Sequence, residues 1–396
     1  MSQKPYVVGV GMIPFVKPGT SGTYVEMGSE AIRLALQDAG LDYNLVQQAY
    51  AGYVYGDSTS GQAALYQVGM SGIPVVNVNN NCATGSSALF LARQAVESGA
   101  VECALAFGFE QMQPGALKAI WGDRPRATTI KTQGIIDELT ADVSDIPGAL
   151  QMFGGAGREH MQKYGTQMST FAAIRAKASR HAENNPLALF RKVLTTEDVM
   201  NDQLIWPGVM TRLMACPPTC GAAAAIICTE AFAKKHNLRT DVVILAQSMT
   251  TDKPVCFESR SMIEVVGFDM AQRAAREVYE KAGVDPLDIR VAEMHDCFAH
   301  NELLTYESLG LCDVGGAEKF VLDGDNTYGG QVVTNPSGGL LSKGHPLGAT
   351  GLAQCYELTH QLRGSADKRQ VEGVNVALAH NLGLGGACVV SLYGRG

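Results

Sequence analysis

Two stretches of this chain, separated by a constant offset of 243 residues, carry the same residues in the same order. Residues 27–42 read MGSEAIRLALQDAGLD and residues 270–285 read MAQRAAREVYEKAGVD. The matched pairs are Met27/Met270, Ala31/Ala274, Arg33/Arg276, Ala39/Ala282, Gly40/Gly283 and Asp42/Asp285. Each stretch is typical of an amphipathic helix that ends at a glycine and is followed by a β-branched run. Such an internal match predicts a fold built from two similar halves.

Two further matches support a duplication. Ala-Thr-Gly precedes a predicted helix at residues 83–85 and again at 349–351. Ala-Leu-Ala lies in a predicted strand at 104–106 and again at 377–379. The order is the same in both halves, although the spacing drifts, and three matches in register are more than chance explains.

Each half therefore has the pattern of a βαβαβ unit, which predicts mixed, mostly parallel sheets covered by helices. We assign the halves to residues 1–118 and 242–396, and the segment 119–241 between them has no counterpart in the second half. An insertion of this kind is expected to build a substrate pocket.

Composition excludes several classes of protein. Hydrophobic residues make up 46% of the chain and charged residues 18%, which indicates a folded protein with a large core. The net charge is −8 without a basic tail, so we predict no nucleic-acid partner. No apolar run approaches the ~20 residues that span a bilayer. Residues 1–6 lack the pattern of a secretory signal, so a cytoplasmic location with reduced cysteines is expected.

The segment around Cys82 has the pattern of a strand, a tight polar turn and a helix. Residues 74–78 are typical of a strand, residues 79–87 read Asn-Asn-Asn-Cys-Ala-Thr-Gly-Ser-Ser, and residues 88–95 are helical in pattern. Cys82 would thus lie at a helix N-terminus, where free N–H groups and the helix dipole stabilise an anion. This predicts a nucleophilic thiol. The alternative is an inert cysteine, because free cysteines are among the most buried residues.

A second polar cluster, His295-Asp296-Cys297, directly follows the strand-like residues 291–294. The end of a parallel strand is where α/β sheets place their ligands. With His300 nearby, a metal site is an alternative interpretation. No further pair of ligands accompanies the cluster, and Cys216 and Cys220 likewise lack a second close pair, so we predict no metal in this protein.

Two glycine-rich segments complete the set of candidates. Residues 338–351 contain His345 and precede a helix, but the spacing of a phosphate-binding P-loop is not met. Residues 379–386 follow the last parallel strand, where glycines indicate either close approach of the backbone to a ligand or a tight turn. Taken singly, each segment leaves a purely structural role open.

Taken together, the four segments strongly resemble the thiolases, in particular their sterol-carrier branch. The resemblance lies in Asn-Cys-Ala-Thr-Gly at 81–85, His-Asp-Cys-Phe at 295–298, Gly-His-Pro at 344–346 and the closing glycine turn. It covers essentially the whole chain. His-Asp-Cys-Phe is the most specific of these motifs, because it separates the sterol-carrier branch from the biosynthetic and common degradative thiolases.

The motif also indicates which cysteine acts as the general acid and base. The other thiolases have Asn at the place of His295 and Ala at that of Cys297, and their second catalytic cysteine lies where this chain has Asn381. The resemblance therefore implies that Cys297 takes that second role here.

The resemblance further implies a fold and an activity. The fold is α/β, a duplicated βαβαβ arrangement with two sheets in α/β/α/β/α layers and an inserted loop domain. The activity is that of an acyltransferase, a 3-ketoacyl-CoA thiolase. It would cleave a branched, sterol-derived or medium- to long-chain substrate to acetyl- or propionyl-CoA and a shortened acyl-CoA, with coenzyme A as co-substrate and no permanently bound cofactor. Cys82 would carry the acyl group and His345 would take its proton. His295 and the backbone N–H of Gly383 would help to stabilise oxyanions.

Substrate contacts and assembly are also predicted. CoA phosphates need positive partners, and forked guanidinium groups suit them. A cluster that combines such groups with an aromatic side chain for stacking consists of Lys118, Trp121, Arg124, Arg126 and Lys131. A solvated basic loop explains this cluster equally well. Met152 and Phe153 of the insertion are expected to shape the acyl pocket, and the resemblance implies a homodimer, or a tetramer of paired dimers.

Three other functions share part of this pattern. A ketoacyl synthase lacks a second reactive cysteine, so Cys297 argues against it. A retro-aldolase of the thiolase-like group lacks the nucleophile, so Cys82 argues against that alternative. A lipid-transfer or CoA-binding module would have no use for a full set of two cysteines and two histidines.

Overall fold

The computed structural model describes residues 3–115 and 121–396. Its strands are β1 (Pro5–Met12), β2 (Gln48–Gly52), β3 (Val75–Val78), β4 (Cys103–Glu110), β5 (Leu204–Trp206), β6 (Met210–Thr211), β7 (Gly221–Thr229), β8 (Val242–Thr250), β9 (Val291–Glu293), β10 (Val333–Thr334), β11 (Val376–Gly383) and β12 (Ala387–Arg395). Its α-helices are α1 (Tyr24–Ala39), α2 (Ser60–Leu65), α3 (Thr84–Glu97), α4 (Gln133–Leu139), α5 (Gly148–Tyr164), α6 (Met168–Ala182), α7 (Thr196–Met200), α8 (Glu230–Lys235), α9 (Val255–Glu258), α10 (Met262–Val265), α11 (Phe268–Ala282), α12 (Ala299–Ser308), α13 (Ala317–Leu322) and α14 (Thr350–Arg363). Within these described ranges, none of the helices combines the length and the apolar character that crossing a membrane requires.

Ten of the described strands form one sheet, in the order β10-β9-β11-β12-β8-β1-β7-β4-β2-β3. The same pattern occurs twice in it. In the first half β3, β2 and β4 are parallel and β7 is antiparallel to β4. In the second half β10, β9 and β11 are parallel and β12 is antiparallel to β11. The halves join where β1 meets β8, through the pairing of Tyr6 with Val243.

Helices cover both half-sheets and fill the space between them. α1 packs on β1 and β7, and α11 packs on β8 and β12. α3 and α14 each contact strands of both halves, so they form a shared central layer. The two half-sheets therefore lie in the predicted α/β/α/β/α arrangement.

The internal matches in the sequence correspond to equivalent places in the two halves. α1 and α11 each end at a glycine in the left-handed conformation, Gly40 (φ 65°) and Gly283 (φ 64°). The residue after a helix favours glycine there because a Cβ atom would be strained. α3 and α14 begin at Thr84 and Thr350, the central residues of the two Ala-Thr-Gly matches.

The segment between the halves is not one unit. α5 and α6 pack on α12 of the second half. β7, however, lies between β1 and β4 in the first half-sheet, at the place that β12 has in the second. Every residue of its apolar run is buried. The predicted division at 119–241 thus includes a strand of the first half, and we propose that the insertion ends at Cys220.

Close contacts between glycines bring the two halves together. A Cβ atom at Gly108 would lie 2.0 Å from the carbonyl oxygen of Gly348, and one at Gly85 would lie 2.7 Å from the same oxygen. A Cβ atom at Gly52 would also contact this oxygen, at 3.4 Å. The backbone just before α14 therefore enters the first half to a depth that side chains at these positions would prevent.

We predict that Gly108→Ala destabilises the protein because the new methyl group meets backbone that cannot move aside. Overpacking of this kind costs about 1–3 kcal/mol or more. Gly148→Ala is the matched control, since a Cβ atom there would have nothing within 4 Å. Urea unfolding should show a lower midpoint for Gly108→Ala alone. Equal midpoints for the two variants would contradict this account of the contact.

Candidate active site

Cys82 lies in the turn between β3 and α3. The residue before it, Asn81, has a φ of 52°, a left-handed conformation that Asn tolerates better than most residues. The Asn81 side chain donates a hydrogen bond to the carbonyl of Leu384 at 2.9 Å, which ties this turn to the last hairpin of the chain. α3 begins at Thr84, so Cys82 is held two residues before a helix, in the predicted strand–turn–helix setting.

Two histidines from the second half meet this cysteine. The Sγ atom of Cys82 and one ring nitrogen each of His295 and His345 all lie within 4.8 Å of one another. The two imidazole rings are 5.0 Å apart and nearly perpendicular, at 82°. All three side chains are buried. The structure thus brings together the predicted nucleophile and two histidines that were predicted from separate motifs. His300, by contrast, directs Nε2 to the carbonyl of Val209 at 2.9 Å.

Hydrogen bonds define the protonation of His345. Its Nδ1 atom lies 2.7 Å from Oγ1 of Thr350, whose own hydroxyl hydrogen is donated to the carbonyl of Pro346 at 2.9 Å. Oγ1 therefore accepts from Nδ1–H, and Nε2 keeps its lone pair. This Nε2 atom is buried and has no hydrogen-bond partner within the described structure. It is available to take a proton from Cys82.

His295 has the opposite arrangement. The side-chain nitrogen of Asn381 lies 3.1 Å from Nδ1 of His295 and donates to it, which leaves the proton of the ring on Nε2. The backbone N–H of His295 donates to Nδ1 of His380 at 3.4 Å. His295 thus presents a donor to the pocket where His345 presents an acceptor. The sequence did not predict that Asn381 and Thr350 set the tautomers of the two histidines. For Asn381 this role depends on a contact between distant segments of the chain.

Cys297 has a neighbouring cysteine that the sequence analysis assigned no role. Ala215 pairs with Phe298 in an isolated antiparallel bridge, and the N–H of Cys216 donates to the carbonyl of Cys297 at 2.8 Å. Cys216 and Cys297 are therefore directly opposite each other, and opposed residues of antiparallel strands have their side chains on the same face. Cys297 is buried, and Cys216 is partly buried.

Burial keeps all of these groups neutral. It raises the pKa of the Cys82 thiol to about 12, with the nearby Glu110 carboxylate adding to the shift. It raises the pKa of Cys297 well above the ordinary value. It lowers the pKa of His345 to about 3 and that of His295 well below its usual range. The helix N-terminus was expected to favour a thiolate, but desolvation has the larger effect on this buried thiol.

Glu110 is a buried carboxyl group that was not predicted. It accepts backbone hydrogen bonds from Val54 at 3.1 Å, Tyr55 at 2.8 Å and Gly348 at 3.0 Å. Burial nevertheless raises its pKa to about 7. The sequence signal was available: Glu110 is the charged residue that ends the apolar run of β4, at the edge of the sheet where ligands bind.

The glycine turn after β11 lies against the loop that carries Cys82. A Cβ atom at Gly383 would be 2.2 Å from the carbonyl oxygen of Asn80 and 3.0 Å from the backbone nitrogen of Ala83. A Cβ atom at Gly385 would be 3.1 Å from the Thr128 side chain. Gly383 is thus beside Cys82, and the loop around Thr128 covers the turn.

The predicted CoA contacts are at the surface. Arg124 forms two hydrogen bonds to Asp123, at 2.9 and 3.0 Å, and its guanidinium lies 4.7 Å from the centre of the Trp121 ring. Trp121 is 61% exposed. Burial raises the pKa of Tyr55 to about 12, and the positive charge of Arg126 opposes this shift. Lys131 is exposed, and Lys118 lies outside the described residues.

The two residues predicted to shape the acyl pocket are buried on α5. The ring of Phe153 stacks on that of Phe298 with 4.8 Å between centroids. Phe298 directly follows Cys297, so Phe153 is part of the apolar wall next to that thiol. Met152 belongs to the same hydrophobic core.

Known proteins are similar to this chain in sequence and in fold. The family model for the thiolase N-terminal domain matches residues 6–231, and that for the thiolase C-terminal domain-like family matches residues 257–393. Sterol carrier protein 2 of Oryctolagus cuniculus is 55% identical over 395 residues, 99% of this chain and 72% of that protein. Among solved structures, the Ltp2-ChsH2(DUF35) aldolase aligns with a TM-score of 0.84 at 21% identity, over 100% of this chain and 98% of that one. Human mitochondrial 3-ketoacyl-CoA thiolase in complex with CoA aligns with a TM-score of 0.73 at 19% identity, over 100% and 98%.

We predict that alkylation of Cys82 by iodoacetamide accelerates by about tenfold per pH unit from roughly pH 6 to 10, because the thiolate is the reacting form. Because the pKa of Cys82 is about 12, the alkylation rate should not reach a plateau in this pH range. Mass spectrometry of the peptide that contains Cys82 would follow the reaction separately from the other cysteines. A rate that is flat above pH 6 would reveal a resident thiolate–imidazolium pair and contradict the neutral ground state.

Proposed function

Because the chain belongs to the thiolase family and is an acyltransferase of the thiolase type, we propose that it cleaves 3-ketoacyl-CoA thioesters through an acyl group on Cys82. The products would be acetyl- or propionyl-CoA and a shortened acyl-CoA. One observation carries the proposal: Cys82, His295 and His345 converge to within 4.8 Å although they come from three distant segments. Cys297, one of the buried residues of this region, supplies a second thiol.

In the first step, Sγ of Cys82 attacks the keto carbon at C3 while its proton passes to Nε2 of His345. The lone pair on this nitrogen follows from the bond between Nδ1–H and Thr350. The C3 oxygen becomes an oxyanion, and the backbone N–H groups of Cys82 and Gly383 are our candidates for stabilising it. Such donors act strongly in a site that excludes water, where loss of one costs ~10²–10³ in rate.

In the second step, the bond between C2 and C3 breaks and leaves an acyl group on Cys82. The departing acetyl- or propionyl-CoA enolate carries its negative charge on the thioester oxygen. Nε2–H of His295 and the protonated His345 would donate to this oxygen. Cys297 gives its proton to C2 of the enolate, which completes the first product and leaves a thiolate.

In the third step, coenzyme A enters as the second substrate. The Cys297 thiolate takes the proton of the CoA thiol. The sulfur atom of CoA then attacks the carbonyl carbon of the acyl group on Cys82. The Cys82 thiolate leaves and recovers its proton from His345. All protons return to their starting atoms, so the protein needs no permanently bound cofactor for this cycle.

Substrate contacts follow from the loop and the helix beside the site. We assign the CoA phosphates to Arg124 and Arg126, with Trp121 available for stacking on the adenine. The loop between residues 121 and 131 is next to the Gly383 turn, because Thr128 contacts Gly385. We assign the branched, sterol-derived or medium- to long-chain acyl group to the side of Met152 and Phe153, because Phe153 stacks on Phe298 next to Cys297.

A homodimer is the assembly we propose, and its interface would include β3. This strand is at the edge of the sheet, and Val76 on it is 39% exposed. An open edge strand is a template for pairing with another chain. β3 leads directly to the turn that holds Cys82, so pairing would also steady the nucleophile. A cytoplasmic location stays a prediction.

The alternatives have less support from the site. A retro-aldolase would not need the nucleophile that His345 is arranged to deprotonate. The structural likeness to an aldolase at 21% identity shows a shared fold. A carrier protein would have no need for His295 and His345 in complementary tautomers.

The direct test is to trap the covalent intermediate. Incubation with a 3-ketoacyl-CoA in the absence of free CoA should place the acyl group on Cys82, because the third step is blocked. Digestion and mass spectrometry identify the modified residue, and the Cys82→Ala variant is the control. An adduct found on Cys297 alone would overturn the assignment.

We predict that Cys297→Ala still accepts an acyl group on Cys82 from an activated thioester but loses turnover by ~10²–10⁴-fold, the usual contribution of general acid–base catalysis. Cys216→Ala is the control, because Cys216 lies directly opposite Cys297 and carries the same functional group. It should retain turnover within about threefold, well below the contribution of an acid–base group. The reverse result would move the acid–base role from Cys297 to Cys216.

A further inference from the structure

We propose that Cys82, His295 and His345 form an inhibitory site for a borderline-soft divalent cation such as Zn²⁺. One sulfur and two imidazole nitrogens within 4.8 Å of one another are a donor set that this ion prefers. In a tetrahedral zinc site, donor atoms are about 3.5 Å apart, so a shift of roughly 1 Å per side chain would close the set around an ion. Binding of the ion follows from the donor set alone, whereas its inhibitory effect rests on the proposed function of Cys82 and His345.

His345 is already prepared as a ligand. A metal-bound histidine usually donates its other ring N–H to an acceptor that fixes its tautomer and orientation. Thr350 is that acceptor, at 2.7 Å from Nδ1. The Nε2 atom that would bind the ion is buried and has no partner within the described structure. The free lone pair on Nε2 of His345 is thus directed by the fold toward a ligand that accepts electrons, such as a cation.

His295 becomes a ligand through a rotation of the Asn381 amide. With the amide nitrogen toward Nδ1, His295 carries its proton on Nε2 and cannot bind metal. With the amide reversed, Oδ1 accepts from Nδ1–H and the lone pair is on Nε2. Oδ1 of Asn381 is buried and has no hydrogen-bond partner in the orientation described above. Reversal gives that oxygen a partner, so the same residue can favour either an oxyanion donor or a metal ligand.

The consequence is competition between the ion and the substrate. Bound Zn²⁺ would hold Cys82 as a thiolate ligand and occupy the lone pair that takes its proton. A water molecule would take the fourth position of the ion. Mg²⁺, which prefers oxygen donors and octahedral geometry, should not bind here.

The test uses Co²⁺ alone as a spectroscopic probe of the chelator-treated full chain. We expect the intense visible bands of four-coordinate cobalt and a near-ultraviolet charge-transfer band from a thiolate. Zn²⁺ should abolish both by displacement, and Mg²⁺ should not. Cys82→Ala should lose the charge-transfer band, whereas Cys312→Ser, a cysteine outside the cluster, should keep it. Carbamidomethylation of the parent protein at Cys82 gives the same comparison without any variant that must fold.

Asn381→Asp separates this proposal from a loss of structure. A carboxylate accepts from Nδ1–H of His295 and cannot donate, so it should tighten Co²⁺ binding by about 10–100-fold, the range of outer-shell effects. Structural damage would weaken binding. His345→Asn should weaken it by more than that range, because a ligand is lost. Weak octahedral spectra in the parent, a charge-transfer band that survives in Cys82→Ala, or weaker binding by Asn381→Asp would each overturn the inference.

Discussion

The backbone of Gly348 is held inside the first half of the molecule, and the whole active site depends on that contact. Its carbonyl oxygen packs where side chains on Gly85 and Gly108 would be, and its N–H donates to Glu110 at 3.0 Å. His345 is three residues upstream, so this insertion brings it beside Cys82. Neither half has both groups, and the contact between them therefore creates the site rather than adjusting it.

A second feature of the site, the burial of its reacting side chains, decides how the chemistry can proceed. Cys82 and His345 are both neutral at rest, because burial raises the pKa of the thiol and lowers that of the imidazole. Charge is expected to appear only as the substrate reacts, and oriented donors in a dry site then have their largest effect. The same property makes the site sensitive to cations, since a neutral imidazole with a free lone pair is a base and a ligand alike. Asn381, through the tautomer of His295, is the residue that we propose discriminates between these uses.

The sequence predicted local structure and internal symmetry well, and contacts between distant segments poorly. The helices α1 and α11 and the setting of Cys82 follow from short patterns, and the structure has them where they were expected. β7 was assigned to the insertion, because an alanine-rich run far along the chain carries no sign of which strands it will join. The hydrogen bonds of Glu110 and Asn381 could not be predicted for the same reason, although the place of Glu110 at the end of an apolar run was visible in the sequence. Their partners, Gly348 and His295, are far away in sequence, and only the folded structure brings them together.

The duplication also explains why charge can develop at this one place. The N-terminal ends of α3 and α14 meet in the central layer: a Cβ atom at Gly85 would be 3.1 Å from the backbone nitrogen of Gly351, and one at Gly351 would be 2.4 Å from that of Ser86. Each helix N-terminus carries a partial positive charge. Two such ends therefore meet close to the turn that holds Cys82. A single half would supply one helix end and either a nucleophile or a base. Pairing two similar halves face to face supplies both ends and places Cys82 of one half beside His345 of the other.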